Sequence, residues 1–338
     1  MLSIELTRLF NWATLPTIDA EELFDEPEIN EVMRWANNQP LPEQEELLRA
    51  LPKRLPALDP TKASVVLVLA GGLVENGASP HVLIAAGIAH LARLRALLAE
   101  GLALPPAAWR FAIIGLMAML CRSAEGRALF KQQTELLAWL EEEEETSSHF
   151  FYLLRIAEVS DEEVLWVVFP DYGTGLELSA LQVNNTFHLL TLMQPLMLSQ
   201  AAALRLRSQP KPTDPAILRY ALHDSLTPPE ASDYNRFEWL NALAYQGGSL
   251  DRLASAWGEA PVSSLPRVLE RVVLLATENE NRLVRSWDAT YLSALHSANR
   301  PEVTIRRLLS PEEVSSLLQA IHPPVATPVA ESPAKRSL

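Results

Sequence analysis

Apolar residues recur at helical spacing through most of the first 145 residues. In the acidic, proline-interrupted stretch 1–60, apolar residues follow a period near that of an α-helix, which is typical of an amphipathic helix. They include Leu23, Ile29, Val32 and Met33. Asp19 precedes the acidic turn AEELF and is expected to cap a helix there. The beginning of the chain is therefore predicted to be helical.

A more strongly helical block covers residues 62 to about 140. Its first two helices, 62–75 and 81–100, are predicted to form a hairpin. The NGASP segment between them places glycine where one helix ends and proline where the next begins. Two further helices are expected, one opening at Pro105-Pro106 and one near 124–140.

Small residues within this block predict close helix packing. Gly71-Gly72 and the patch of Ala85, Ala86, Gly87 and Ala89 leave room for a neighbouring helix to approach. Stacked helical hairpins of the armadillo or HEAT type would use such contacts. No repeat consensus occurs at a fixed period, however, so a plain helical bundle is an equal alternative.

The periodicity changes between residues 150 and 183. The segment contains FFYLLRIAEV, a charged turn SDEE, the apolar run VLWVVF, the turn PDYGTG and then LELSALQV. The β-branched and aromatic run 164–169 has the length of a strand, and Gly173 and Gly175 are turn residues. We therefore predict an antiparallel hairpin over 150–183.

The remainder of the chain predicts a mixture of elements. Asn184-Asn185 is expected to cap a helix that Pro195 would kink or shorten, and a short helix is expected over 216–222. Predicted strands follow at 271–276 and 303–309. The sequence Ser310-Pro311-Glu312-Glu313 combines a capping serine, a proline and an acidic first turn, and predicts a last helix to residue 321.

These patterns together predict an α+β fold. A helical region, a bundle or a stack of helical hairpins, covers 1–145, and an α+β region with an antiparallel sheet and flanking helices covers 146–322. Residues 323–338 contain four prolines without apolar periodicity and are predicted to be a disordered tail.

Composition and charge narrow the class of protein. A net charge of −14 disfavours a nucleic-acid backbone as the partner, since phosphate binding needs clustered Lys and Arg. Cys121, the single cysteine, is expected to be a buried apolar residue, which fits a reducing cytoplasm. The N-terminal segment lacks the features of a secretory signal, and the apolar stretches 64–74 and 111–121 are too short to span a membrane. A soluble cytoplasmic protein is expected.

The sequence contains no local motif that strongly indicates catalysis or metal binding. His223-Asp224-Ser225 has the residue types of a hydrolase triad, but adjacent residues cannot converge in that relay, so a turn after a helix is expected. The seven histidines contain no HExxH pattern, and His90 and His188 are expected to be packed and hydrogen-bonded. The acidic run 141–145 is expected to be a solvated helix end. No catalytic, cofactor-binding or metal-ligating residue is predicted.

One polar and aromatic cluster is a candidate binding site. Arg285, Trp287 and Asp288 lie together in a segment predicted to be a loop. Trp and Arg are frequent anchors at protein interfaces, so these three residues are the predicted binding residues. The alternative is that Trp287 pins the loop to the core, which is the commoner fate of a large aromatic side chain.

From about residue 150 to 321, the chain resembles a group of uncharacterised bacterial proteins of the kind common in actinobacterial genomes. The matching segments are the acidic turn before VLWVVF, DYGTG at 171–175, NTFH at 185–188, WGE at 257–259, RSWDA at 285–289 and LSPEEV at 309–314. The resemblance implies a bacterial origin and supplies no mechanism.

The sequence favours a non-enzymatic protein that acts through contacts with another protein, without a cofactor, a nucleic acid or a membrane. The helical region, the acidic composition and the lack of catalytic motifs support this hypothesis. The alternative is an enzyme whose site is assembled from distant residues of the 146–322 region, such as His188, His223 and Asp288. Membrane association would need a basic amphipathic helix, which the sequence does not show. The oligomeric state stays open.

Overall fold

The structure is a computed structural model that describes residues 4–17, 23, 26–207, 212–228, 241–246, 249–255, 258–265, 267–277 and 293–321. The chain divides into two compact units. The first comprises Met1–Asp161 with two returning segments, His223–Thr227 and Ala289–Arg300, and the second comprises the remainder. The predicted α+β class is confirmed, since a helical region precedes a sheet.

The first unit is helical in its described residues. Its helices are α1 (Ile4–Ala13), α2 (Pro27–Asn37), α3 (Leu41–Ala50), α4 (Pro60–Glu75), α5 (His81–Ala99), α6 (Pro106–Leu120), α7 (Ala124–Lys131), α8 (Thr134–Glu142), α9 (Ser148–Ala157) and α12 (Ser293–Ala298). The predicted hairpin of two helices is confirmed by α4 and α5. Gly77 lies between them with a φ of +111°, a conformation that suits glycine. The predicted helix 124–140 is two helices, because Gln133 leaves the helical conformation at φ −86°, ψ 61°.

Helices α4 and α6 are in close contact, because glycines occupy their shared face. A Cβ atom added at Gly115 would lie 2.5 Å from the backbone carbonyl group of Leu67. One added at Gly71 would lie 3.0 Å from the Cβ of Ala118. The predicted role in close packing is therefore confirmed for Gly71 but is wrong for Gly72, where an added Cβ atom would meet nothing within 4 Å. Gly115 makes the tightest approach of the three.

Helix α5 is long and apolar enough to span a membrane by length and composition alone. The core helix of a folded unit meets the same criteria. Here 39% of its apolar window is buried, and His90 within it lies 2.9 Å from Ser64 Oγ of α4. This helix is longer than the apolar stretches 64–74 and 111–121, which were the only candidate spans identified from the sequence.

The end of the helical unit is fixed by a fully buried arginine. Arg127 of α7 has 0% of its surface exposed. Its Nε lies 3.0 Å from both carboxylate oxygens of Asp161, and its Nη1 donates to the carbonyl oxygens of Leu120 and Cys121 at 2.6 and 3.2 Å. Lys131 donates to the carbonyl oxygen of Val159 at 2.6 Å. One charged side chain thus ties the end of α6 to the residue where the helical unit ends.

The second unit contains a mixed sheet flanked by helices. Its strands are β1 (Ser160–Phe169), which begins at the unit boundary, β2 (Thr174–Val183), β3 (Asn241–Gln246), β4 (Ser249–Ser255), β5 (Arg267–Val268), β6 (Arg271–Thr277) and β7 (Glu302–Leu308). Its helices are α10 (Thr186–Ser199), α11 (Pro215–Ala221) and α13 (Pro311–Ile321). The strand order is β4-β3-β6-β1-β2-β7, and β5 pairs with β6.

Strands β1 and β6 pair in parallel, whereas the pairs β2–β7, β3–β4, β3–β6 and β5–β6 are antiparallel. Leu165 pairs with Val272 and Val168 with Leu275 in parallel register. The sheet is therefore mixed rather than wholly antiparallel. Trp166 and Val168 pack against Val314 and Leu317 of α13, while α10 packs against β2 and β7. Cover on both faces explains the uninterrupted apolar run at the end of β1.

The predicted hairpin over 150–183 is wrong in its first third. Residues 150–157 belong to α9, and SDEE is the beginning of β1 rather than a turn. Phe150, Leu153, Leu154 and Ala157 follow helical spacing, and Ser147 Oγ accepts a hydrogen bond from the His149 N–H at 3.3 Å. Helical residues thus continue beyond the predicted boundary at 145. Strands β1 and β2 are neighbours joined by residues 170–173, as the second part of the hairpin prediction required.

The predicted helix caps at Asn185 and Ser310 are confirmed in the second unit. Asn185 Oδ1 accepts from the His188 N–H at 2.9 Å and begins α10, which continues past Pro195 to Ser199. At α13, Ser310 and Glu313 form a reciprocal capping box at 2.8 and 3.2 Å. Strands β6 and β7 and helix α11 lie where they were predicted. The predicted cap Asp19 and the tail 323–338 are outside the described residues.

Replacement of Gly115 by alanine should destabilise the helical unit, because its Cβ atom would overlap the Leu67 backbone. We expect a loss of about 1–3 kcal/mol in the free energy of unfolding, measured by urea denaturation. Gly72→Ala is the matched control, since a Cβ atom there would meet no described atom within 4 Å. Equal stability of the two variants would contradict the close α4–α6 contact.

Replacement of Arg127 by methionine should destabilise the protein by about 3–5 kcal/mol, because the Asp161 carboxylate and two carbonyl groups lose their buried partner. Arg122→Met is the control. Arg122 is partly exposed, lies 3.7 Å from Glu75 and donates a hydrogen bond of 3.3 Å to the Ala118 carbonyl oxygen. Because both contacts are long and the side chain reaches solvent, a loss below about 1 kcal/mol is expected. Thermal unfolding of both variants measures the difference, and similar small losses would refute the role of Arg127.

Candidate functional site

The helical unit has a pocket of about 410 Å³ lined by three aromatic side chains. We call it the aromatic pocket and define it by Trp109, Arg110, Trp139, Glu143, His149 and Phe150. Aliphatic residues, including Leu98 at the end of α5, complete its wall together with Thr146 and Ser147. Helix α6 supplies Trp109 and Arg110, α8 and its C-cap supply Trp139 and Glu143, and the first turn of α9 supplies the other two.

The three rings contact one another at different angles. The Trp109 and Trp139 ring centroids are 5.2 Å apart with their planes at 39°. Phe150 meets them at 6.3 and 5.5 Å, with interplanar angles of 75° and 71°. Such tilted and edge-to-face contacts stabilise aromatic clusters by about 0.5–1.5 kcal/mol per pair beyond burial. The rings are therefore held by each other before any ligand binds.

One positively charged and one negatively charged side chain line the same pocket, beside a histidine. Burial, and then the nearby charge of Arg110, lowers the pKa of His149, so this ring is neutral at pH 7. His149 Nδ1 lies 3.3 Å from Ser147 Oγ. The Arg110 guanidinium lies 4.8 Å from the ring centroid of Phe111. The charged groups of the pocket are thus Arg110 and Glu143.

The acidic run Glu141 to Glu145, here called the acidic segment, adjoins the pocket. It covers the end of α8 and the following 3₁₀ turn, and Glu141, Glu142 and Glu145 are exposed. The negative charge of this segment affects the pKa of Glu158. Burial raises the pKa of that carboxyl group to about 7 against the opposing charge of Arg155, and Glu144 and Glu141 raise it further. The pocket therefore borders a surface of negative charge.

A second charged cluster surrounds Glu177 in the sheet of the second unit. Its carboxylate accepts from Trp166 Nε1 and from Arg307 Nη2, each at 3.0 Å. Arg271 and Arg306 lie 3.3 and 3.6 Å away. Partial burial would raise the pKa of Glu177, but the Trp166 hydrogen bond and the Arg307 charge lower it below its usual value. Arg307 also bonds Glu313 at 2.8 Å, so the cluster links β2, β7 and α13.

The predicted binding residues Arg285, Trp287 and Asp288 lie outside the described residues. Of the alternative catalytic set, Asp288 is also outside them, His188 belongs to the second unit and His223 to the first. His188 is fully buried, as expected. Its Nδ1 accepts from the Asn184 N–H at 3.1 Å, and its Nε2 donates to the Ala221 carbonyl oxygen at 2.7 Å.

His223 forms a stacked pair with His296. Their ring centroids are 3.9 Å apart. His223 Nδ1 donates to the Asn299 carbonyl oxygen at 3.3 Å, and His296 Nε2 donates to that of Ser225 at 2.8 Å. Each ring therefore bonds the backbone of the other returning segment. The turn expected at 223–225 is confirmed, and His223 adopts a φ of +60° there.

His90 and Cys121, the other two residues considered in the sequence, are both buried. His90 is buried beside Ser64, as predicted, and burial lowers its pKa to about 4. Cys121 is buried, and burial raises the pKa of its thiol to about 12, so it is a poor nucleophile at pH 7. Within the described part of the chain, no group of three or more His, Cys, Asp or Glu is placed to hold a metal ion.

Sequence reasoning did not single out the aromatic pocket. Trp109 and Trp139 belong to none of the motifs identified above, and Phe150 falls within the predicted hairpin 150–183. The available signal was the spacing of Trp109 and Ile113, which places both on one face of α6. That spacing cannot show which other helix completes the pocket.

Three of the buried histidines, His90, His223 and His296, should make the protein less stable in acid. Burial lowers the pKa of His90 to about 4, of His223 to about 3, and of His296 below its usual 6.5. The unfolded chain takes up these protons as the pH falls below 6.5, whereas the folded chain does not. Their contribution to stability is therefore complete above pH 6.5 and declines below it.

Urea denaturation between pH 7 and pH 4 measures this decline. His90→Gln should flatten the profile by removing one of the three groups. A pH profile of His90→Gln that matches that of the original protein would contradict the assignment.

Comparisons with known proteins add no assignment. No protein-family model matches the sequence. No match was found among curated proteins or among solved structures either. The resemblance to uncharacterised bacterial proteins therefore stays a prediction.

Proposed function

We propose that this protein is a non-enzymatic, cytoplasmic binding module that contacts another protein through the aromatic pocket. The partner is a basic segment with a side chain that enters the pocket. The single observation that supports this most is an aromatic cavity directly beside exposed carboxylates. The proposal does not involve a nucleic acid, a membrane or a cofactor.

The size and lining of the pocket favour binding. Its volume of about 410 Å³ lies within the range of roughly 300–1,000 Å³ that is common for ligand sites. Trp109 and Trp139 are half-buried, so each offers contact surface while being held by its neighbours. Trp and Arg are the side chains on which binding energy most often concentrates at protein interfaces.

Exposed apolar side chains extend the surface beyond the pocket. Leu98, which lines the pocket, is 45% exposed, and Leu102 in the following turn is 49% exposed. A partner segment that covered both would remove apolar surface from water, which favours association. The apolar contact would then continue from the pocket along the end of α5.

The charge around the pocket supports a basic partner. The chain carries a net charge of −14, and the acidic segment concentrates negative charge at the pocket. Complementary charge raises association rates and rejects wrong partners more than it adds affinity. A segment with lysine or arginine residues around its anchor matches this surface, whereas an acidic segment would be repelled.

Selection of a displayed random-peptide library on the full chain tests this proposal. The selected peptides should combine basic residues with one large apolar or long-chain anchor. Trp139→Leu should weaken their binding at least tenfold, equivalent to about 1.4 kcal/mol. The half-buried Trp35 is in α2, so Trp35→Leu is the matched control and should bind normally.

Charge reversal in the acidic segment supplies a variant that leaves the pocket walls intact. Glu142→Lys should weaken the selected peptides severalfold, and more at low salt. Glu46→Lys makes the same charge change at an exposed position of α3 and should have little effect. Selection of acidic peptides, or equal binding by all variants, would refute the proposal.

A further inference from the structure

We propose that the aromatic pocket is a cage for a cation, and that the anchor of the partner is the ammonium group of a lysine side chain, either free or methylated. This inference rests on the proposed function and specifies the chemistry of the same site. It follows from the arrangement of three rings and one carboxylate around a single cavity.

The ring geometry provides walls of different orientation. Phe150 stands at 75° to Trp109 and at 71° to Trp139, and the two tryptophans are tilted by 39°. The face of an aromatic ring carries partial negative charge and attracts a cation within about 6 Å, most strongly for Trp. Several differently oriented rings around one cavity are the arrangement by which proteins recognise quaternary ammonium groups.

Charge around the cavity favours a cation over an anion. Glu143 lines the pocket, and the exposed Glu141, Glu142 and Glu145 flank it. Arg110 is the one permanent positive charge in the lining, and its guanidinium lies over Phe111, which is not a lining residue. His149 is neutral at pH 7 and adds no positive charge.

Arg110 and Glu143 have opposite charges, so replacing each of them should change the affinity for a charged ligand in opposite directions. Arg110 opposes a cationic ligand, so its removal should strengthen binding of a cation and weaken binding of an anion. Glu143 should behave in the opposite way. A purely apolar ligand would respond to neither residue. Three ligand classes therefore predict three different outcomes for one pair of variants.

Titration of the full-length protein with choline, followed by tryptophan fluorescence and calorimetry, is the first experiment. The neutral isostere 3,3-dimethyl-1-butanol is the matched probe. Choline should bind at least fivefold more tightly than the isostere. Glu143→Gln should weaken choline severalfold, Arg110→Gln should strengthen it severalfold, and Trp139→Leu should abolish it. Trp35→Leu is the control and should bind normally.

The peptides selected in the preceding experiment supply a second measurement that does not depend on a small probe. Replacement of their anchor lysine by norleucine, which keeps the alkyl chain and removes the charge, should weaken binding at least fivefold. Trimethylation of that lysine should maintain or strengthen binding.

Several outcomes would overturn the cage. Equal binding of choline and its isostere, or of lysine and norleucine peptides, would show an apolar pocket and leave the proposed function standing. Tighter binding of acetate than of choline, together with weakening by Arg110→Gln, would show an anion site. If choline binds as expected but no peptide depends on Trp139, the proposed function fails while the cation site stands.

Discussion

The burial of Arg127 is the constraint on which the helical unit depends. A guanidinium group without solvent contact must have every donor direction used, and Asp161 and the carbonyl groups at the end of α6 meet that demand. Because Asp161 is the second residue of β1, the same contact joins the helices to the beginning of that strand. Helices α6 and α7 and the first residues of β1 are thereby held in one arrangement.

Helix α6 connects this constraint to the candidate site. Gly115 on one of its faces permits contact with the α4 backbone, while Trp109 and Arg110 near its beginning line the aromatic pocket. A shift of α6 away from α4 would therefore also move two walls of the pocket. Helix α6 thus contributes both a small residue to the core contact with α4 and large residues to the pocket.

Electrostatics divides the molecule into groups that are buried without charge and groups that carry charge at the surface. His90, His223 and His296 are kept neutral by burial, whereas the acidic segment keeps its carboxylates in solvent. Glu177 is the intermediate case, because its arginine neighbours hold its negative charge at a nearly buried position. The acidic segment thus places exposed carboxylates next to the aromatic pocket.

The sequence alone determined the α+β class, most helices and the caps at Asn185 and Ser310, because those features depend on neighbours within a few residues. Tertiary structure decided the rest. The spacing of 150–157 fits a helix once Ser147 caps it, yet the aromatic residues had suggested a strand. The parallel pairing of β1 with β6 and the meeting of Trp109, Trp139 and Phe150 join distant parts of the chain. Such contacts leave no local pattern, because they arise only when whole elements pack.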